Sequence, residues 1–122
     1  MSNTNETIFE QVGDQKVRFE NINGDWRVGT REIHRVFKGH TATNHGAMVN
    51  DMKRMHGDNW DRYIDLMNIH KVSEKDSGGR TYNSYLFDRT AFTYFCLSFT
   101  GKATNEYKFH FIDTLFELEK DN

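Results

Sequence analysis

A Gly-Lys pair at the head of a helix suggests phosphate chemistry, because backbone N–H groups can cradle phosphate oxygens while the lysine supplies charge. The stretch FTGKATNE, residues 99–106, offers Gly101-Lys102 with Thr104 close behind. The complete motif asks for a further glycine five positions before the Gly-Lys pair and for Ser or Thr directly after the lysine. Cys96 and Ala103 occupy those positions, and the preceding segment has helical rather than strand-and-loop character. The cradle is not built, and no nucleotide cofactor is expected. Gly101 reads instead as a left-handed residue that closes one helix just before the next begins.

Other reactive residue types lead to no catalytic pattern. His34, His40 and His45 could approach one metal, but zinc sites add cysteines or carboxylates at tight spacing, and no HExxH, CxxC or HxH occurs. The only thiol, Cys96, sits among Phe92, Phe95 and Phe99 at helical spacing, which describes an inert core thiol. Asp58, Asp61 and Asp65 fall on the flank of a helix, a solvated face rather than an acid pair. The expectation is a protein that is not an enzyme and holds no metal.

Cationic and amide side chains are better organised. Between residues 30 and 56, Arg31, Arg35, Lys38, Lys53 and Arg54 stand against Glu32 and Asp51, a local charge of +3. Residues 80–104 carry a further +2, while 1–29, 57–79 and 105–122 are each acidic. A basic middle in an acidic frame is either a solvated helix face or a patch that can steer a polyanion although the net charge is −2. Asn reads adenine bidentately, and Arg or Lys reads guanine or phosphate. The candidate DNA-binding residues are therefore Arg31, Arg35, Lys38, Asn44, His45, Asn50, Lys53, Arg54 and Arg80, with double-stranded DNA as the partner.

The elements that must position them follow from periodicity. TIFEQV and KVRFENI alternate around a short turn, and a second turn at Asn23-Gly24-Asp25 extends the hairpin to a meander. TREIHRVF reads as a helix with Thr30 as N-cap and Ile33, Val36 and Phe37 inward. NHGAMVNDMKRM is a second helix with Met48, Val49, Met52 and Met55 in one buried stripe. DNWDRYIDLMNI is a third, with Asp58 as a candidate cap. HKVSEKD and TYNSYLFD form a hairpin whose tip is Ser77-Gly78-Gly79-Arg80. Two helices close the chain: one capped by Asp88, and one with Tyr107, Phe111, Leu115 and Leu118 in a stripe widened by Ile112 and Phe116. A stripe of that width is buried on more than one side, either within the domain core alone or against the core and a second copy, and a homodimer is the expectation.

Paired helices followed by a hairpin with an Arg-bearing tip is the order of a winged helix-turn-helix. The fold class is thus α+β, a winged helix-turn-helix with an N-terminal β-hairpin or meander and two C-terminal helices. The 122 residues suit one domain, 6–122, behind a disordered tail at 1–5. No segment has the length and apolarity of a membrane span, the N-terminus lacks the pattern of a signal peptide, and one cysteine builds no internal disulfide. A reducing cytoplasm is the expectation.

The segment YLFDRTAFTYFCLSFTGKATNEYKFHFIDTLFELE resembles the signature of the phage regulatory protein Rha family. The resemblance falls on Tyr85, Leu86, Arg89, Phe92, Phe99, Thr100, Gly101, Lys102, Ile112 and Phe116, with Phe-Thr-Gly-Lys its most specific part. Upstream, TREIHRVF and HGAMVNDM resemble further family segments, the latter placing His45, Val49, Asp51 and Met52. The family usually has a short Gly-Lys-x-His turn where this chain has KGHTATNH, and an Arg where this chain has Asn50. Rha-type proteins come from temperate phages or prophages and affect the choice between lysis and lysogeny. The resemblance implies a DNA-binding transcriptional regulator. The alternative on the same scaffold is a protein–protein inhibitor, an antirepressor or an inhibitor of a host defence nuclease.

Overall fold

Two tight turns organise the first quarter of the chain. Asn23 and Gly24 both take positive φ (55° and 96°), the conformation that a two-residue hairpin turn of matching twist requires. Asn21 Oδ1 accepts the Gly24 N–H at 2.9 Å and closes the turn. Gly13, at φ 63°, makes the other turn, and its N–H donates to His110 Nδ1 at 3.2 Å. A side chain on Gly13 would meet the Tyr107 ring at 3.1 Å, so the turn is docked on the last helix.

The structure is a computed structural model that describes residues 6–37, 44–75, 78–95 and 102–120. The turns join β1 (Glu6–Val12), β2 (Gln15–Ile22) and β3 (Asp25–Gly29). Then come α1 (Thr30–Val36), α2 (His45–His56), a 3-10 turn (Gly57–Asn59) and α3 (Trp60–Leu66). β4 (His70–Lys75) and β5 (Thr81–Phe87) form the second hairpin, and α4 (Arg89–Phe95) and α5 (Lys102–Lys120) follow. The molecule is α+β, with a five-stranded antiparallel sheet in the order β1-β2-β3-β5-β4. In the ladder the meander meets the second hairpin at Val28 opposite Phe87 and Gly29 opposite Leu86. The tail at 1–5, Lys38, His40, Cys96, Phe99 and the Gly101 corner lie outside the described residues.

One face of the sheet carries Val17, Phe19, Val28, Tyr85 and Phe87, all buried. Phe111 of α5 reaches Phe19, Phe37 and Phe92 with ring centroids 5.0–6.3 Å apart. Phe87 stacks on Phe95 at 5.1 Å, and Trp60 meets Phe95 and Tyr85 edge-on. Aromatic rings bury large areas each and contribute a large share of such a core. Met48, Val49 and Met52 are buried as their spacing predicts, but Met55 is 64% exposed, so the periodic stripe runs one turn further than the core does.

Several caps differ from the residue-type expectation. Gly29, not Thr30, is the N-cap of α1, and Thr30 turns its hydroxyl elsewhere. Asp58 lies in the 3-10 turn rather than capping α3. Asp88 does cap α4, accepting the Ala91 N–H at 2.9 Å. At the end of α3, Asn68 (φ 51°) donates to Asp65 O and Ile69 to Ile64 O, a Schellman closure. The freed Asn68 carbonyl accepts from Arg27 Nη1 at 2.9 Å. That guanidinium is 1% exposed and lies 3.6 Å from Asp25, so a buried cation on β3 fixes the passage from α3 to β4.

Candidate nucleic-acid interface

Thr30 emerges from the end of β3 with its hydroxyl fully buried. It accepts the Tyr85 N–H at 3.1 Å and lies 3.3 Å from Ser84 Oγ and 2.8 Å from His45 Nε2. One small side chain thus ties the start of α1, the start of α2 and the middle of β5 to a single point. The three elements diverge from it, and an open cleft of about 750 Å³ lies between them.

The cleft gathers most of the residues that the sequence nominates. Arg31 and Arg35 line it from α1, Asn44, His45, Asn50 and Lys53 from α2 and its cap, and Arg80 from the approach to β5. Glu32, His34, Gly46, Val49, Thr81, Asn83 and Tyr85 complete the wall. Arg54 is not part of it; it is exposed and ion-paired with Asp51. Lys38 lies outside the described residues.

Each lining residue has a distinct set of commitments. Arg35 donates to Gln15 Oε1 at 3.1 Å, to the Lys16 carbonyl at 3.0 Å and to Glu32, so it clamps α1 to the β1–β2 hairpin. Glu32 also accepts the Arg18 N–H at 2.9 Å. Asn44 caps α2 by accepting the Ala47 N–H at 2.8 Å, which leaves its amide nitrogen as the atom to meet a ligand. Lys53 holds its ammonium 5.9 Å from the centroid of the Tyr85 ring. Arg31 and Arg80 add two further cations from different sides.

His45 is held neutral. Burial, then the positive charge of Arg31 and the neighbouring His34, push its pKa down to about 4, with Glu74 opposing. The Thr30 hydroxyl accepts from Tyr85 and shares a hydrogen bond with His45 Nε2 whose direction follows the tautomer of the neutral ring. A neutral ring also suits the first turn of α2, where a cation would oppose the helix dipole.

The chemistry available is recognition of an anion with oriented acceptors, by Arg, Lys, amide and imidazole donors around a polar hollow. Among the described residues, no group of three or more His, Cys, Asp or Glu is placed to hold a metal ion. No described helix is long and apolar enough to cross a membrane.

Residues 38–120 match the family model of the phage regulatory protein Rha. The chain belongs to the Rha family. No curated protein and no solved structure matches it. The Rha range contains Asn44, His45, Asn50, Lys53 and Arg80 of the cleft, together with β4, β5 and both C-terminal helices. The meander, α1 and hence Arg31 and Arg35 precede the matched residues. The cleft is therefore built by the Rha range together with the segment just before it.

Sequence reasoning missed Thr30 as a tether, Ser84 beside it and the buried Arg27. Thr30 and Ser84 are 54 residues apart, and Arg27 and Asn68 are 41 apart. No local pattern in one sequence links positions that distant.

Proposed function

We propose that this Rha-family chain is a DNA-binding regulator whose interface is the cleft between α1, α2 and the β4–β5 hairpin. One observation carries the reading: Arg31, Lys53 and Arg80, cations from three separate elements of a chain with negative net charge, line one hollow. A winged helix-turn-helix arranges its parts this way, with α1 and α2 as the helix pair and the β4–β5 hairpin as the wing. In this reading Arg31 and Arg80 hold phosphates of one strand. The exposed side of α2, with Asn50 and Lys53, meets base edges, and Asn44 and His45 donate to the backbone at the start of that helix.

A second reading has its own observation. Beyond Lys53 and Tyr85 the surface continues into a hollow of about 480 Å³ lined by Asp58, Asp61 and Lys71. Two carboxylates and two lysines, with Trp60 and Ile64, make a mixed-charge, partly apolar lining that suits a protein segment, as in an antirepressor or an inhibitor of a host defence nuclease. Capture of such a protein by the chain in nuclease-treated solution would favour this reading.

The DNA reading is tested by polarisation titration against duplexes from the phage regulatory region at low and moderate salt. Binding that weakens steeply with salt supports it, because neutralised phosphates release counterions. No binding at low salt would sink it.

A further inference from the structure

The last helix buries one side and leaves another open. Phe111 and Leu115 are fully buried, yet on the same 19-residue helix Phe109 is 76% exposed and Phe116 44%. With the half-buried Ile112 between them, the spacing is three and then four residues, the spacing of a helix–helix seam. No residue of this seam lines the basic cleft, so it is a second surface with its own purpose.

We infer that the Phe109–Ile112–Phe116 seam receives the same seam of a second copy, running antiparallel about a two-fold axis near Asp113. The charges beside the seam choose this occupant. With the axis there, Glu106 stands level with the partner's Lys120, and Phe109 comes within one residue, about 1.5 Å of rise, of the partner's Phe116. At 100° per residue, Glu106 and Lys120 lie on the same flank of the seam, the flank that meets itself across an antiparallel contact. A parallel pair would turn this flank toward the opposite one and leave Glu106 and Lys120 at different heights, so the two would not meet. The helix is thus complementary to its own reverse, as an isologous two-fold interface requires.

Lys120 can reach across without losing much. It lies 3.7 Å from Glu117 in a pair that is more than half exposed. Its ammonium and the Arg89 guanidinium sit 5.2 and 5.4 Å from the Phe116 centroid. Arg89 is itself held by Glu119 in two hydrogen bonds of 3.0 and 3.1 Å. Arg89 therefore stays beside the ring that the partner's Phe109 would meet when Lys120 reaches across. One feature works against pairing: Asp113 meets its own copy at the axis. Two single helices bury less than a standard interface, so the dimer is weak, with dissociation on the order of 10 µM or above.

The experiment is sedimentation equilibrium of the full chain over a concentration series, with folding of every variant checked by circular dichroism. Wild type should show a reversible monomer–dimer equilibrium. Phe109→Ser should abolish it. Glu106→Lys and Lys120→Glu should each weaken it roughly tenfold, since the loss occurs twice across the axis. The double variant Glu106→Lys/Lys120→Glu should restore it, and Asp113→Asn should tighten it. A wild type that stays monomeric throughout overturns the inference. So does a dimer that ignores the single charge reversals, or one that the double reversal fails to restore. None of these outcomes depends on DNA binding.

Discussion

Thr30 is the residue on which the cleft hangs. Its hydroxyl serves β5, His45 and Ser84 at once, and it is fully buried. Thr30→Val keeps the shape and strands the Tyr85 N–H, which should cost roughly 1–3 kcal/mol in denaturant unfolding. A change below a few tenths would remove the tether from the account. His45 makes a separate prediction. Its folded pKa, about 4, lies below the ordinary 6.5, so its neutral burial stabilises the protein fully above about pH 6.5. That stability is lost as pH falls from 6.5 toward 4. His56 and His70 are also shifted down by burial, so the readout is a difference between proteins. Between about pH 7 and about pH 4, the melting temperature of wild type should fall further than that of His45→Gln. Thr30 also marks the limit of reading by residue type. A threonine before a helical run reads as an N-cap, yet Gly29 holds that place and the hydroxyl serves a strand 55 residues away.

Elements were legible wherever their cause is local. Asn23-Gly24 forces the β2–β3 turn, alternation sets the strands, and Asp88 starts α4. α2 is the element on which the proposed contact depends, and Asn44 begins it. Asn44→Ala should lower stability by roughly 1 kcal/mol in a denaturant titration, because the Ala47 N–H loses its acceptor. The errors occur where a neighbouring element decides. Met55 has the period of a core residue but no core beside it. Phe116, which widens the apolar stripe of α5, is 44% exposed in the single chain with two cations near its ring, and Phe109 is more open still. Periodicity tells which side of a helix is apolar, not how far the rest of the protein covers it.

At the scale of the molecule, charge distribution matters more than its sum. A chain of net charge −2 brings Arg31, Lys53 and Arg80 to one hollow through a two-residue β3–β5 ladder and one threonine tether. Seven of the nine nominated residues, namely Arg31, Arg35, Asn44, His45, Asn50, Lys53 and Arg80, line that hollow. The sequence supplied the types and the nearby spacing. It gave no sign that Arg35 would be spent as a clamp or that Arg54 would sit outside the wall, since both depend on how α1 and α2 settle on the sheet.

The most direct test of the central claim compares salt slopes. Affinity for a phage regulatory duplex is measured across a salt series for wild type, for Arg31→Ala/Arg80→Ala, and for Arg62→Ala as an exposed control on α3 outside the cleft. The account predicts that the double variant binds more weakly and that its slope of log affinity against log salt is smaller by about two, while the control matches wild type. Equal slopes for all three proteins would contradict it.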